Sequence, residues 1–361
     1  MVKLIDIARK AQVSVATVSL ALRNQGKVSP VTVERVQRLA REMGYQPNPL
    51  VSAYQANVRS GRQQCFRGTI AWIDDTRPGT YQNRSAANLQ MQKGAQEQAA
   101  AQGFALDVIC VPDINPYDDD GNRLRLERIM AARGIAGVIF PQLWWARMLT
   151  YEWSSVAVAA YGGNAGFVEK FDKFGFGSLR YTHVVADVYN DTRLALAHLR
   201  GKGYRRIALI TCNHHEIGAS YRFTAARHAF SSEHVDIPLI KSWVDGKTLV
   251  EKVPVGFKEW LRTVRPDAVL TTLGCARDWL SACGLEAPGD IGLAHPFLGP
   301  GEENWSGVRE DYPLVGRTLM DSVTAQILRG ERGVPAYPKC ILTSGKWEQG
   351  CTTRIIADPQ D

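Results

Sequence analysis

Along most of the chain, short apolar runs alternate with stretches in which apolar residues recur every three or four positions. Beyond residue 65 the runs Thr69–Ile73, Leu106–Val111, Gly137–Phe140, Val156–Ala160, Arg206–Thr211, Ala268–Thr272 and Ile291–Ala294 predict strands. Leu89–Gln102, Leu124–Arg133, Thr192–Lys202, Thr224–Ser232, Phe257–Arg265, Arg277–Cys283 and Leu314–Arg329 predict helices. Strands separated by helices predict parallel sheets covered on both faces. Gln102-Gly103-Phe104 ahead of one strand is echoed by Lys202-Gly203-Tyr204 ahead of another. The echo suggests that the α/β unit occurs twice, as two subdomains with a cleft between them.

The first 48 residues follow the helical period only. Leu4, Ile7, Ala8 and Ala11 share one helical face. Ser14 is placed to cap a second helix, Val15–Arg23, and Asn24-Gln25-Gly26 ends it. Ser29-Pro30 opens a third, with Val33, Val36, Ala40 and Met43 as its apolar stripe; Gly44-Tyr45 ends it, and Pro47 and Pro49 forbid continuation. Two short helices joined by a tight turn, with a third completing the core, is a helix-turn-helix layout. The alternative is a generic three-helix bundle.

Charge weighs on that choice. The chain carries a formal net charge of +7. Residues 1–62 hold ten Lys/Arg against three acids, which accounts for all of it; the remainder holds 33 of each sign. A basic head on a neutral body fits a nucleic-acid-binding module joined to something else, although a solvated charged terminus has the same composition. Ser14, Thr17 and Ser19 add short hydroxyls that can approach phosphates closely. No run of 18 apolar residues occurs, so no membrane span is expected. The charged N-terminus does not read as a secretory leader, and a cytoplasmic protein is expected. Seven cysteines without a CxxC pair read as free thiols.

The motifs narrow the reading. Asp6-Ile7-Ala8-Arg9-Lys10-Ala11, Val13-Ser14-Val15-Ala16-Thr17-Val18-Ser19-Leu20-Ala21-Leu22 and Gly44-Tyr45-Gln46-Pro47-Asn48-Pro49 resemble the head of the lactose/galactose repressor family. In the body, Val185–Asp191, Arg205–Ile210 and Pro288–Ile291 are similar to the family's landmarks. The resemblance implies an all-α helix-turn-helix head (1–48), a hinge helix and linker (49–64), and an effector-binding and dimerisation domain (65–361). That last domain would be an α/β periplasmic-binding-protein-like (type I) sensor of two doubly wound subdomains.

It also implies a homodimer that binds palindromic double-stranded operator DNA as a repressor under a small-molecule effector, with no cofactor and no metal. The family's base-reading positions fall at Val15, Ala16 and Leu20; the third is usually Arg in the family. Apolar side chains there cannot donate to guanine, but they can contact thymine methyls. With Ser14, Thr17, Ser19 and Asn24 they make up the candidate DNA-binding set. The family's minor-groove leucine falls at Tyr54 in the segment Pro49–Asn57, which otherwise reads as a linker.

Ligands of open α/β sheets sit beyond the carboxyl ends of the strands. Reading past each strand gives Asp74, Trp144, Trp145, Tyr161 and Phe297 as effector candidates, and Arg222 matches the family's effector-binding arginine. Aromatic faces with a few polar groups suit a sugar-like or nucleobase-like molecule. Leu273-Gly274 and Phe297 replace polar residues common in the family, so no sugar identity is carried over. His214-His215-Glu216 reads as an exposed loop rather than a metal site. Asp118-Asp119-Asp120-Gly121-Asn122 reads as a solvated turn rather than a calcium loop. No nucleophile elbow, P-loop or dinucleotide fingerprint occurs, so no enzyme is expected. The rival readings are a ligand-binding module or transport receptor, and a transcriptional activator.

Overall fold

Helical spacing and caps set the head. In a computed structural model, which describes residues 4–22, 28–43, 67–74, 86–110, 119–141, 152–162, 180–245 and 252–356, the chain forms two compact units, Met1–Cys65 and Phe66–Asp361. Helices α1 (Leu4–Ala11), α2 (Val15–Leu22) and α3 (Pro30–Glu42) make up the described head. Ile7, Ala8, Ala11, Val18, Ala21, Val36 and Ala40 are its buried core. The turn between α1 and α2 puts Gln12 in the left-handed region (φ 51°), and the Val13 amide donates back to the Ala8 carbonyl at 3.1 Å. Ser29 caps α3: its hydroxyl accepts from the Thr32 amide at 3.3 Å, and Pro30 occupies the first turn, where no amide proton is needed. Ser29→Ala is expected to lower head stability by about 1 kcal/mol, read as a lower thermal midpoint of the isolated helical signal.

The body holds two six-stranded sheets. The first contains β1 (Gly68–Asp74), β2 (Phe104–Cys110), β3 (Ile135–Phe140), β4 (Ala157–Tyr161), β5 (Thr182–Ala186) and β11 (Cys340–Thr343), in the order β11-β5-β4-β3-β1-β2, all parallel. The second contains β6 (Ile207–Cys212), β7 (Trp243–Asp245), β8 (Ala268–Thr271), β9 (Gly292–Leu298), β10 (Ser306–Arg309) and β12 (Lys346–Glu348), in the order β12-β10-β9-β8-β6-β7. Only β12 runs antiparallel to its neighbour. Each sheet thus winds outward from its first strand in the same 2-1-3-4-5 sense, and the body is two doubly wound halves. The central strands are buried on both faces, which is why they read as unbroken apolar runs.

Helices α4 (Ala86–Gln102), α5 (Asp119–Ala132), α6 (Val188–Gly201), α7 (Asn213–Gly218), α8 (Arg222–Glu233), α9 (Phe257–Val264), α10 (Ala276–Ala282) and α11 (Tyr312–Arg329) complete the body. Along β1 the side chains alternate: Ile70 and Trp72 enter a core shared with α4 and α11, while Ala71 and Ile73 enter one shared with α5. The second sheet has its own cores, one around Phe257, Trp260 and Trp279 and one around Leu196, Leu199 and Tyr204. Helices α4 and α11 meet backbone to backbone. A Cβ at Gly316 would lie 1.8 Å from the Met91 carbonyl oxygen, and one at Gly94 would lie 2.1 Å from that of Pro313.

Three sequence expectations need correction. Asp119, Asp120, Gly121 and Asn122 are not a turn; they open α5, where acidic residues suit the helix N-terminus. His214-His215-Glu216 is not a loop; it lies in the short helix α7. The echo of Gly103 and Gly203 joins strands that are not equivalent, since Gly103 precedes β2 and Gly203 precedes β6. Both glycines are left-handed (φ 78° and 98°) because each closes a helix-to-strand turn. The duplication is real, but these tripeptides mark a shared turn rather than the repeat's register.

Candidate nucleic-acid interface and effector cleft

In the head, α2 carries the candidate base-reading residues. Ser14 caps it: its hydroxyl accepts from the Thr17 amide at 3.0 Å and pairs with the Thr17 hydroxyl at 2.8 Å. Val15 and Leu20 are exposed, at 41% and 39%, and Ala16 is exposed beside them, so three apolar side chains stand on the helix surface. The helix buries Val18 and Ala21 on its opposite side. Thr17 is half-buried, and Ser19 sits on the α2 backbone. Asn24 and Tyr54 lie outside the described residues, as does the whole hinge segment.

In the body, the topological switch points lie between β1 and β3 and between β6 and β8. Asp74 ends β1 at the first of them. At the second, the Thr211 and Thr272 hydroxyls are 2.9 Å apart and His215 Nδ1 is 2.9 Å from the Thr272 hydroxyl. His295 on β9 lies beside them. Its Nδ1 accepts from the Phe297 amide at 3.0 Å, and burial pushes its pKa down to about 4, so the imidazole is neutral. Tyr161 ends β4, and its hydroxyl donates to Glu310 at 3.0 Å; burial, then the Glu310 charge, raises its pKa. Phe297 is half-buried with its ring edge-on to Tyr312, centroids 6.4 Å apart.

Arg222 is half-buried at the first position of α8. The two residues before it, Ser220 (φ 52°) and Tyr221 (φ 58°), are both left-handed, at a cost of order 1–3 kcal/mol each. Strained backbone of this kind is retained where it aims a side chain. Arg222 is carried by the second half of the body, yet its charge reaches the first sheet: after burial, it lowers the pKa of His183 on β5, and it opposes the burial-driven rise at Cys340 on β11. Tyr161 is the last residue of β4 and Arg222 opens α8 beyond β6, but Phe297, expected past a strand ending at Ala294, lies within β9 and packs against the core of the first sheet. Trp144 and Trp145, and the Asp74 side chain, lie outside the described residues.

The sequence expectations do not include Glu310 and Thr343, which meet Tyr161, and they weigh His215 only as a metal ligand. Nothing in a Glu-Asp pair following Arg309 distinguishes a buried carboxylate from a solvated one. Among the described residues, no group of three His, Cys, Asp or Glu side chains is arranged to hold a metal. No helix among them is long and apolar enough to cross a membrane.

Comparison with known proteins bears on both units. Residues 3–48 match the family model described as bacterial regulatory proteins, lacI family. Over 45 residues, 12% of this chain, the head is 58% identical to the HTH-type transcriptional repressor CytR of Escherichia coli K12, and the match spans 13% of that relative's length. A longer match, 27% identical over 139 residues, covers 38% of this chain and 88% of the maltose regulon regulatory protein MalI of Vibrio furnissii. In fold, the chain is similar to the lac repressor dimer bound to operator and the anti-inducer ONPF, with a TM-score of 0.52 at 18% identity over 98% of this chain and 99% of that one. Residues 3–48 thus match the lacI-family model of bacterial regulatory proteins, and the whole chain is similar in fold to the lac repressor.

Proposed function

We propose that the protein is a sequence-specific transcriptional repressor that binds a palindromic operator as a homodimer and answers to a small molecule held between the two halves of its body. The observation that carries this reading is α2: a capped helix presenting Val15, Ala16 and Leu20 outward, in a head 58% identical over 45 residues to that of a repressor. Ser14, Thr17, Ser19 and Asn24 supply phosphate contacts, and Tyr54 in the segment 49–64 supplies the minor-groove contact. The head is taken as 1–48 and the sensor as 65–361. The effector is sugar-like or nucleobase-like and is met by Asp74, Trp144, Trp145, Tyr161, Arg222 and Phe297. The protein acts in the cytoplasm, without catalysis. Effector binding shifts the halves between two arrangements, and a coupling of about 1–3 kcal/mol is sufficient.

Selection of the full-length protein against random duplex DNA at a stated salt concentration tests the reading. A palindrome with half-sites about one helical turn apart is the expected product. Weak binding that is lost on raising salt, with no enriched sequence, would leave a ligand-binding module. The apolar triad makes a sharper prediction. Leu20→Arg is expected to bring a guanine into each half-site, with about tenfold to hundredfold discrimination at that base pair, because a bidentate Arg–guanine pair is worth about 1–3 kcal/mol. An unchanged half-site in a parallel selection would remove Leu20 from the base-reading set.

A further inference from the structure

One side chain of the second half of the body reaches into the first. Phe297 lies on β9 of the second sheet, yet it packs against the core built on Ile70, Trp72, Tyr312, Val315 and Leu319. Every other residue in or against that core comes from the first half, from β1 to β5, β11, α4 or α11. The Phe297 ring meets Tyr312, at the start of α11, edge-on with centroids 6.4 Å apart, an arrangement that adds to simple burial. The second half has cores of its own, around Phe257, Trp260 and Trp279 and around Leu196, Leu199 and Tyr204, and Phe297 belongs to neither.

The local backbone sends it there. β9 and β10 pair through His295 and Gly307, and again through Leu298 and Arg309. Two residues of β9, Pro296 and Phe297, therefore stand opposite one of β10, Val308, which is a β-bulge. A bulge bends its strand and re-aims a side chain, and Pro296 suits the position because it has no amide proton to lose from a ladder. The Phe297 amide is satisfied within its own strand, donating to His295 Nδ1 at 3.0 Å. His295 is itself fixed: it is buried, with its ring edge-on to Trp305 at 6.1 Å. Gly307 lets β10 pass the bulge, since a Cβ there would lie 2.2 Å from the His295 carbonyl oxygen.

We propose that Phe297 is a clasp between the halves: seated against Tyr312 it holds them in the observed arrangement, and they part when it leaves that seat. Parting exposes the ring and the face of Tyr312 that it covers to water, and this lost burial opposes opening. Tyr161, at the end of β4, packs against the same core. Phe297 and Tyr161 are both proposed effector residues, so a small molecule touching them would act on the clasp itself; that extension rests on the reading above. The clasp does not. Its test uses neither effector nor operator, so its failure would leave the repressor reading standing.

Distances between spin labels in the full-length protein read the clasp. The exposed positions of Arg128 on α5, in the first half, and Lys258 on α9, in the second, carry the labels through ketone-bearing residues, which leaves the native cysteines untouched. Phe297→Ala is expected to raise the ratio of parted to unparted molecules about tenfold, the factor that losing a partly buried aromatic side chain corresponds to, and so to add a second, displaced population to the distance distribution. Tyr312→Leu removes the seat from the other side and is expected to add the same population. Trp279→Phe, within the second half's own core, is expected to lower the urea midpoint without changing the distances. Should F297A fail to fold, Y312L decides alone. A wild-type distribution retained in folded F297A and Y312L, or the same displaced population in W279F, would overturn the proposal.

Discussion

Gly316→Ala is expected to destabilise the body by about 2–4 kcal/mol, although alanine is the better helix former. Propensity alone favours alanine over glycine inside a helix by about 1 kcal/mol. Contact reverses the sign. The added Cβ would stand 1.8 Å from the Met91 carbonyl oxygen and 3.0 Å from the Ala95 amide nitrogen, and both are backbone atoms of α4 that no rotamer change can move. The helices must separate, and the core they share with β1, β3 and β4 opens with them. Overpacking of this kind costs about 1–3 kcal/mol and sometimes more, and the lost helix contact adds to it. Gly201→Ala is the control. Gly201 ends α6, and a Cβ added there would have nothing within 4 Å, so that change is expected to be neutral or slightly stabilising. Urea midpoints of the two variants read the difference. A gain in stability for both would mean that α4 and α11 part at little cost.

The same glycines explain what the sequence could and could not show. Strands buried on both faces, such as β3 and β6, and helices with a single apolar stripe are legible because their periodicity is set by burial. The predicted strand and helix cores lie within two or three residues of the observed ones in most cases. Five strands among the described residues are not expected from the pattern; β10, β11 and β12 lack that signal, whereas β5 is largely buried and carries it. β10 is Ser306-Gly307-Val308-Arg309, with one large apolar residue; Gly307 is required because a Cβ there would lie 2.2 Å from the His295 carbonyl oxygen. β11 and β12 are edge strands whose side chains are largely exposed or half-exposed, so no hydrophobic run marks them. β9 continues past the predicted end at Ala294, although Pro296 forbids a regular ladder bond. The proline is accommodated where the pairing with β10 shifts register, between Gly307 and Arg309.

The sites divide in the same way. The outward face of α2 is legible because a short helix can bury only one side, so Val15 and Leu20 have to face outward once Val18 and Ala21 are taken by the core. Tyr161, Arg222 and Phe297 stand out by their place after a strand or within a motif. Glu310 and Thr343 do not, because Tyr161 and Thr343 lie 149 and 33 residues away from Glu310 in sequence and meet it only in the folded chain. A local pattern holds no trace of that meeting.

Two buried groups in the body should make its stability respond to pH in opposite directions. Glu310 titrates near pH 7 in the folded protein, against 4.5 for an ordinary glutamate. Between those values the folded state binds more protons than the unfolded chain, so stability falls as pH rises, by a total of about 3 kcal/mol at about 1.4 kcal/mol per unit. His295 titrates near pH 4 when folded, against 6.5 for an ordinary histidine. Between those values the unfolded chain binds more protons, so stability rises with pH by a similar total of about 3 kcal/mol. Over roughly pH 4.5–6.5 the two slopes nearly cancel, and single variants expose each one. Glu310→Gln is expected to match the wild type near pH 4.5 and to exceed it by up to about 3 kcal/mol at pH 8. His295→Asn retains an acceptor for the Phe297 amide but leaves a cavity, so it starts less stable at pH 8. Its deficit is expected to shrink by up to about 3 kcal/mol as pH falls to 4, because the wild type then bears the cost of an unfolded chain that gains a proton the folded core refuses. Denaturant unfolding of the three proteins across pH 4–8 gives the two difference curves. Differences that stay constant with pH would show that neither side chain changes protonation on folding.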